Sequence, residues 1–190
     1  MSATVPMRAT GSEELLRLAG RGDHDAFAAL IREHESMVYS VAWHFFRDRD
    51  RAEEVAQEVF LQLYKTIAGI DSPAHLVFWL RRVTSNRCID ESRRRRIHPV
   101  ALADVPEPAC RRSESDPILD RRLGRLMLQL PAEQRMVITM RYQEGLEPAE
   151  IGDVVGMPVN TVKSHLRRGL ARLRSWLTTD GTGEAPHEAR

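Results

Sequence analysis

The chain has 190 residues, 42% of them hydrophobic, and its 28 Lys and Arg face 27 Asp and Glu for a formal net charge of +1. That length holds one ordinary domain or two small helical ones, and the balanced charge excludes a uniformly basic nucleic-acid coat, so any such binding must use local patches. The cysteines Cys88 and Cys110 lack a metal-binding spacing, no apolar run approaches a membrane span, and residues 1–11 lack the apolar core of a signal peptide; the expectation is a cytoplasmic protein with reduced thiols, no cofactor and no metal.

After a flexible leader over residues 1–11, Ser12 can cap a brief helix through Leu18, broken by Gly20 and Gly22. From Asp25, a candidate N-cap, Phe27, Leu30, Ile31, Val38, Val41, Ala42 and Phe45 fall on one helical stripe. His34 shares that stripe and, with no second ligand four residues away, reads as a packing residue. Asp50 can cap a third helix that turns Val55, Ala56, Val59, Phe60, Leu63 and Ile67 inward. A loop over Gly69 to Pro73 precedes a fourth helix from about Ala74, which buries Leu76, Leu80 and Val83, carries a mainly structural Trp79 and runs into an arginine cluster.

These four helices form a first domain over residues 12–96. Residues 97–117 lose periodicity and gather Pro99, Pro106, Pro108 and Pro117, so they read as a linker. A second domain over residues 118–177 restarts with Leu119, Leu123, Leu126, Met127 and Leu130, a helix stopped at the Leu130-Pro131 step. Another helix passes through Val137, Ile138 and Tyr142. Two further helical patterns, Pro148 to Val155 and Val159 to Leu177, flank a tight turn at Gly156-Met157-Pro158. No period-two pattern appears, so the expected fold is all-α, and residues 178–190, polar and glycine-rich, read as a disordered tail.

Glu147 to Leu170 fits a helix-turn-helix in which a supporting helix braces a second helix that enters the major groove. Gly156 suits a left-handed turn between them, leaving Asn160, Thr161, Lys163, Ser164 and Arg167 near the exposed start of the recognition helix, with Arg168, Arg172 and Arg174 adding charge for phosphates. Lys163 or Arg167 could read a guanine edge. In the first domain Arg82, Asn86, Asp90 and Arg94 recur every four residues on one face, continued by Arg93, Arg95 and Arg96. That stripe can track a DNA strand or simply be a solvated helix end that complements the dipole. Asp90 suits orienting Asn86 or Arg94 better than meeting phosphate. On the third helix Glu53, Glu54, Gln57, Glu58, Leu61 and Gln62 share a face, and a leucine among acids and amides points to a docked partner protein.

Three stretches together resemble the sigma-seventy family of RNA polymerase sigma factors, in its extracytoplasmic-function (ECF) group: Asp50 to Leu61, Phe78 to Asp90 with the arginines beyond it, and Leu130-Pro-Ala-Glu-Gln-Arg through Thr161-Val-Lys-Ser-His-Leu-Arg-Arg. The resemblance spans about Ser12 to Leu177. It implies that Glu54, Gln57, Glu58, Leu61 and Gln62 grip the clamp of the largest polymerase subunit, with the polymerase flap as a further contact of the chain. Arg82, Asn86, Arg93, Arg94, Arg95 and Arg96 would contact the minus-ten promoter element, and Asn160, Thr161, Lys163, Ser164, Arg167 and Arg168 the minus-thirty-five element as duplex. It also implies an anti-sigma factor that sequesters the chain, and no catalysis by the chain itself. Gly152 and Gly169 stand where the family usually has alanines, which costs up to about 1 kcal/mol each in helix propensity unless packing needs the space. The competing readings are a dimeric operator-binding regulator, which leaves the acidic-amide face and the arginine stripe unused, and an enzyme built on Asp90, His98 or His165, for which no nucleophile-base or metal spacing exists.

Overall fold

The computed structural model describes residues 9–97 and 117–179. Eight helices fill them, with no strand among the described residues: α1 (Ala9–Ala19), α2 (His24–Phe46), α3 (Arg49–Thr66), α4 (Pro73–Ile97), α5 (Pro117–Gln129), α6 (Ala132–Tyr142), α7 (Pro148–Val155) and α8 (Val159–Thr179). A single 3-10 turn, Ile67–Gly69, leads from α3 towards α4. Most of the leader, linker and tail assigned from sequence lies outside the described residues, although α1 begins inside the expected leader and α4 and α5 each take one residue of the expected linker.

Two helix starts come two residues earlier than expected, for one reason. Asp23, not Asp25, caps α2 by accepting from the Ala26 amide at 2.9 Å, and Asp48, not Asp50, caps α3 by accepting from the Arg51 amide at 3.2 Å. In each pair the first acid satisfies an orphan amide and the second falls in the first turn, where negative charge suits the positive end of the helix dipole. Ser12 is likewise not a cap. It lies within α1 and donates to the Glu33 carboxylate at 2.9 Å, tying α1 to α2.

The first domain packs α1, α3 and α4 around α2, with Leu30, Val38, Val41, Phe45, Val59, Leu63, Leu76 and Leu80 almost fully buried. Each such side chain contributes roughly 1.5–3 kcal/mol relative to exposure. In the second domain Leu126, Met127, Leu130, Ile138 and Leu173 join α5, α6 and α8. Helix α6 departs from the amphipathic pattern expected of a surface helix. From Ala132 to Met140 every residue but Glu133 is buried, including Gln134, Arg135 and Thr139. A helix covered on all sides must sit between layers, and α6 is wedged between α2 and α4 of the first domain and α8 of its own. Tyr142 is 61% exposed because it follows the last buried turn of that wedge, and Leu119, at the start of α5, is also exposed.

Both unusual glycines are explained by close approach. A Cβ on Gly152 would lie 2.7 Å from the Met157 carbonyl oxygen, because the turn after α7 folds back over it through a 2.9 Å bond from the Met157 amide to the Gly152 carbonyl, with Gly156 at φ 68°. A Cβ on Gly169 would lie 2.7 Å from the Ile138 Cδ1 methyl, where α8 crosses α6. Gly152→Ala is therefore expected to lower unfolding free energy by about 1–3 kcal/mol in urea titration, against the gain in helix propensity, since a backbone oxygen must move. Gly169→Ala should cost less, because a terminal methyl can rotate away. Equal or greater stability of Gly152→Ala would show that the turn yields freely.

Candidate functional site

Helix α3 presents two different edges rather than one mixed face. Towards α2, Gln57 and Leu61 border an open groove of about 930 Å³ floored by Phe27, Ile31, Ala56 and Phe60. Leu61 is 57% exposed and Tyr64 48%. Tyr64 is held at one end of the groove, edge-on to Phe27 at 5.2 Å and stacked near His24 at 6.1 Å, while Glu35 and Glu53 make the rim acidic. Towards α4, Glu58 and Gln62 meet Arg87, whose guanidinium lies 3.4 Å from the Glu58 carboxylate and donates to the Gln62 side chain at 3.2 Å; Glu54 lines the same edge. The five residues assigned to docking thus divide between an apolar groove and a charged seam. The contributions of Phe27, Ile31 and Tyr64 are not visible from a single helix pattern, since the stripe that includes Phe27 and Ile31 looks like core until α3 is laid beside it.

On α4, Arg82, Asn86, Asp90 and Arg94 are all exposed along one face, as the four-residue spacing predicts. The opposite side is buried through Leu80, Thr84, Cys88 and Ile89, with the Thr84 hydroxyl satisfied by the Leu80 carbonyl at 2.7 Å. Asp90 pairs with Arg93 at 3.8 Å rather than with Asn86 or Arg94. Arg93 also donates to Glu133 of α6 at 2.8 Å, and that bond holds the Glu133 carboxyl below its usual pKa. The side chains of Arg95 and Arg96 lie outside the described residues. Trp79 is half-buried against the core, as expected of a structural aromatic. Burial pushes the Cys88 thiol well above its ordinary pKa, so it is no ready thiolate.

The second domain closes the helix-turn-helix as the sequence predicts. Ile151, Val154 and Val162 are buried between α7 and α8, and Glu150 accepts from the Glu147 amide at 2.7 Å, satisfying an orphan donor at the start of α7. Asn160, Lys163, Arg167 and Arg168 are exposed on α8, and Thr161 and Ser164 are half-buried beside them. Arg172 is exposed but donates to the buried Gln134 side chain at 3.0 Å, which leaves it less suited to phosphate than its position suggested.

Comparison with known proteins follows this division. Residues 30–97, covering most of α2 and all of α3 and α4, match the Sigma-70 region 2 family, and residues 120–173 match Sigma-70, region 4. The chain belongs to the sigma-70 family. Its relatives place it in the ECF group: it is 30% identical over 171 residues to the ECF RNA polymerase sigma factor SigM of Mycobacterium tuberculosis, covering 90% of this chain and 86% of that one. It is 29% identical over 175 residues to the ECF RNA polymerase sigma factor SigW of Bacillus subtilis, covering 83% and 91%. The fold matches the solved sigma factor RpoE of Bartonella quintana in complex with the anti-sigma factor NepR, at TM-score 0.66 and 19% identity over 81% of this chain and 98% of that one. It also matches CnrH in complex with the cytosolic domain of CnrY, at TM-score 0.65 and 22% identity over 90% and 99%. As a sigma factor the chain is a transcription initiation factor, and no described helix is long and apolar enough to cross a membrane.

Proposed function

We propose that this ECF sigma factor binds core RNA polymerase through the α2–α3 groove centred on Leu61 and the adjoining Glu54, Gln57, Glu58 and Gln62. We further propose that it engages the minus-ten element along Arg82, Asn86 and the arginines from Arg93 to Arg96, and reads the minus-thirty-five element with the start of α8. The observation that carries this reading is the separation of chemistries. An apolar groove with an acidic rim lies on one side of the region 2 domain, an exposed arginine and asparagine face on α4, and a basic helix start on α8. A groove lined by Phe27, Ile31, Leu61 and Tyr64 suits a partner helix, whereas exposed arginines beside an amide suit phosphate and base edges. In this reading the chain acts in the cytoplasm, where its polymerase and promoter are, and an anti-sigma factor holds it until a signal releases it.

Core polymerase with the purified chain should give promoter-specific run-off transcripts from a genomic fragment library that core polymerase alone does not give. Tight footprints by the chain alone on duplex operators, without any polymerase-dependent transcript, would support the dimeric-regulator reading instead. Arg167→Ala should weaken initiation from a cognate promoter by about 1–3 kcal/mol and relax selectivity at one base pair of the minus-thirty-five element. An equal loss on every sequence would make Arg167 a phosphate contact.

A further inference from the structure

We propose that Val159 reads the C5 methyl group of a thymine in the minus-thirty-five element, a base contact beyond the polar ones assigned above; this rests on the proposed promoter reading of α8. Val159 opens α8 and is 38% exposed. Among the described residues it is the one large hydrophobic residue of α7 and α8 that stands exposed; Leu61 and Tyr64 belong to the α2–α3 groove, and Leu119 and Tyr142 lie at ends of other helices. Valine is a weaker helix former than alanine, so an exposed valine in the first turn brings the helix itself nothing.

The local fold holds this side chain still. The Thr161 and Val162 amides both donate to the Pro158 carbonyl, at 2.8 and 3.1 Å, which fixes the first turn of α8. One side of Val159 rests on α7, where its Cγ2 methyl lies 3.7 Å from the point at which a Cβ on Gly152 would stand. A β-branched side chain in a helix keeps one preferred χ1 well, so with one methyl turned to Gly152 the exposed part of the side chain has a fixed direction.

Its neighbours are polar, with Asn160 and Lys163 exposed and Thr161 and Ser164 half-buried. Their donors and acceptors suit base edges and phosphates, whereas the apolar feature that the major groove offers is the C5 methyl of thymine. In a helix-turn-helix the residues at the start of the recognition helix are those that reach base edges. An apolar group already held in place there loses little rotamer freedom on binding, and its contact with the methyl removes apolar surface from water on both sides. A cytosine at the same position has no methyl to meet it. Arg167 lies about two turns further along α8, roughly 12 Å at about 1.5 Å per residue. The thymine should therefore fall within about four base pairs of the one that Arg167 selects, at about 3.4 Å per base pair.

Uracil pairs as thymine does and lacks only the C5 methyl, so it removes the contact without altering the hydrogen-bond pattern of the base pair. With core polymerase and the full chain on a cognate promoter, each thymine of the minus-thirty-five element, on either strand, is replaced singly by uracil and run-off initiation is measured at limiting holoenzyme. The parent should lose about fourfold at one thymine, the worth of roughly one buried methyl. Val159→Ala, with its helix content intact by circular dichroism, should lose about as much on the unmodified promoter and nothing further from that uracil. A parent indifferent to every uracil would overturn the contact, and that comparison needs no variant. So would a Val159→Ala chain that keeps the parent's response to the same uracil, because another side chain would then be meeting the methyl. If the parent initiates from the promoter in either case, the promoter reading of α8 stands without Val159; absence of polymerase-dependent transcripts would defeat that reading and the contact with it.

Discussion

Leu61→Asp should reduce affinity for core polymerase by at least about a hundredfold while leaving the fold intact. The side chain is 57% exposed, so folding loses little when it becomes charged, beyond a few tenths of a kcal/mol in helix propensity. In a docked complex the same atom positions would be desolvated at the centre of an apolar groove. A carboxylate there loses the apolar contact and leaves a buried charge in a groove whose rim already carries Glu35 and Glu53, a combination in the range of about 3–5 kcal/mol for central interface residues. Glu58→Lys should do less, because Glu58 sits on the opposite edge of α3 and its nearest charge is Arg87 at 3.4 Å; its effect should fall with added salt, as exposed ion pairs do. Fluorescence anisotropy with labelled protein and core polymerase measures both. Affinity of Leu61→Asp within threefold of the parent would move the docking surface off this groove.

How much of this was legible in the sequence depends on how local each feature is. The helix-turn-helix could be placed to within two residues because Pro148, Gly156 and Pro158 punctuate it and the apolar positions repeat within one short segment. The α4 stripe was equally legible, since Arg82, Asn86, Asp90 and Arg94 need only a helical period to share a face. The helix caps were misassigned where two aspartates compete, as at Asp23 and Asp25, because pattern alone does not say which one the backbone reaches first. Features made by two segments were not legible. The groove needs α2 and α3 side by side, and Phe27 and Ile31 carry no mark that separates a groove wall from a core. Least visible was Arg135: nothing in Pro-Ala-Glu-Gln-Arg marks it for burial, and only the carbonyl of a residue 90 positions away explains it. Sequence reasoning accordingly recovered two domains and missed the seam between them.

Phe45→Ala is expected to cost more stability than any other single truncation at that seam, about 3–5 kcal/mol. The ring is fully buried, packs edge-on to Phe46 at 4.9 Å and carries the Arg135 guanidinium on its face. Its removal therefore leaves a cavity in the first domain and withdraws the aromatic seat of the second. Phe45→Leu separates the two effects: most of the apolar volume stays while the cation–π contact goes, so it should cost about 1–2 kcal/mol, the larger value applying where the cation is desolvated as it is here. Urea unfolding followed through Trp43 and Trp79 in the first domain and, in a separate chain lacking both, through Trp176 in the second would show where the loss falls. If the two domains share one core, Phe45→Ala lowers the midpoint at both sites, because α6 loses the surface that buries it on that side. A midpoint shift confined to the first-domain tryptophans, with Trp176 unmoved, would mean that α6 keeps its burial without Phe45 and that the domains are coupled only through their charge pairs.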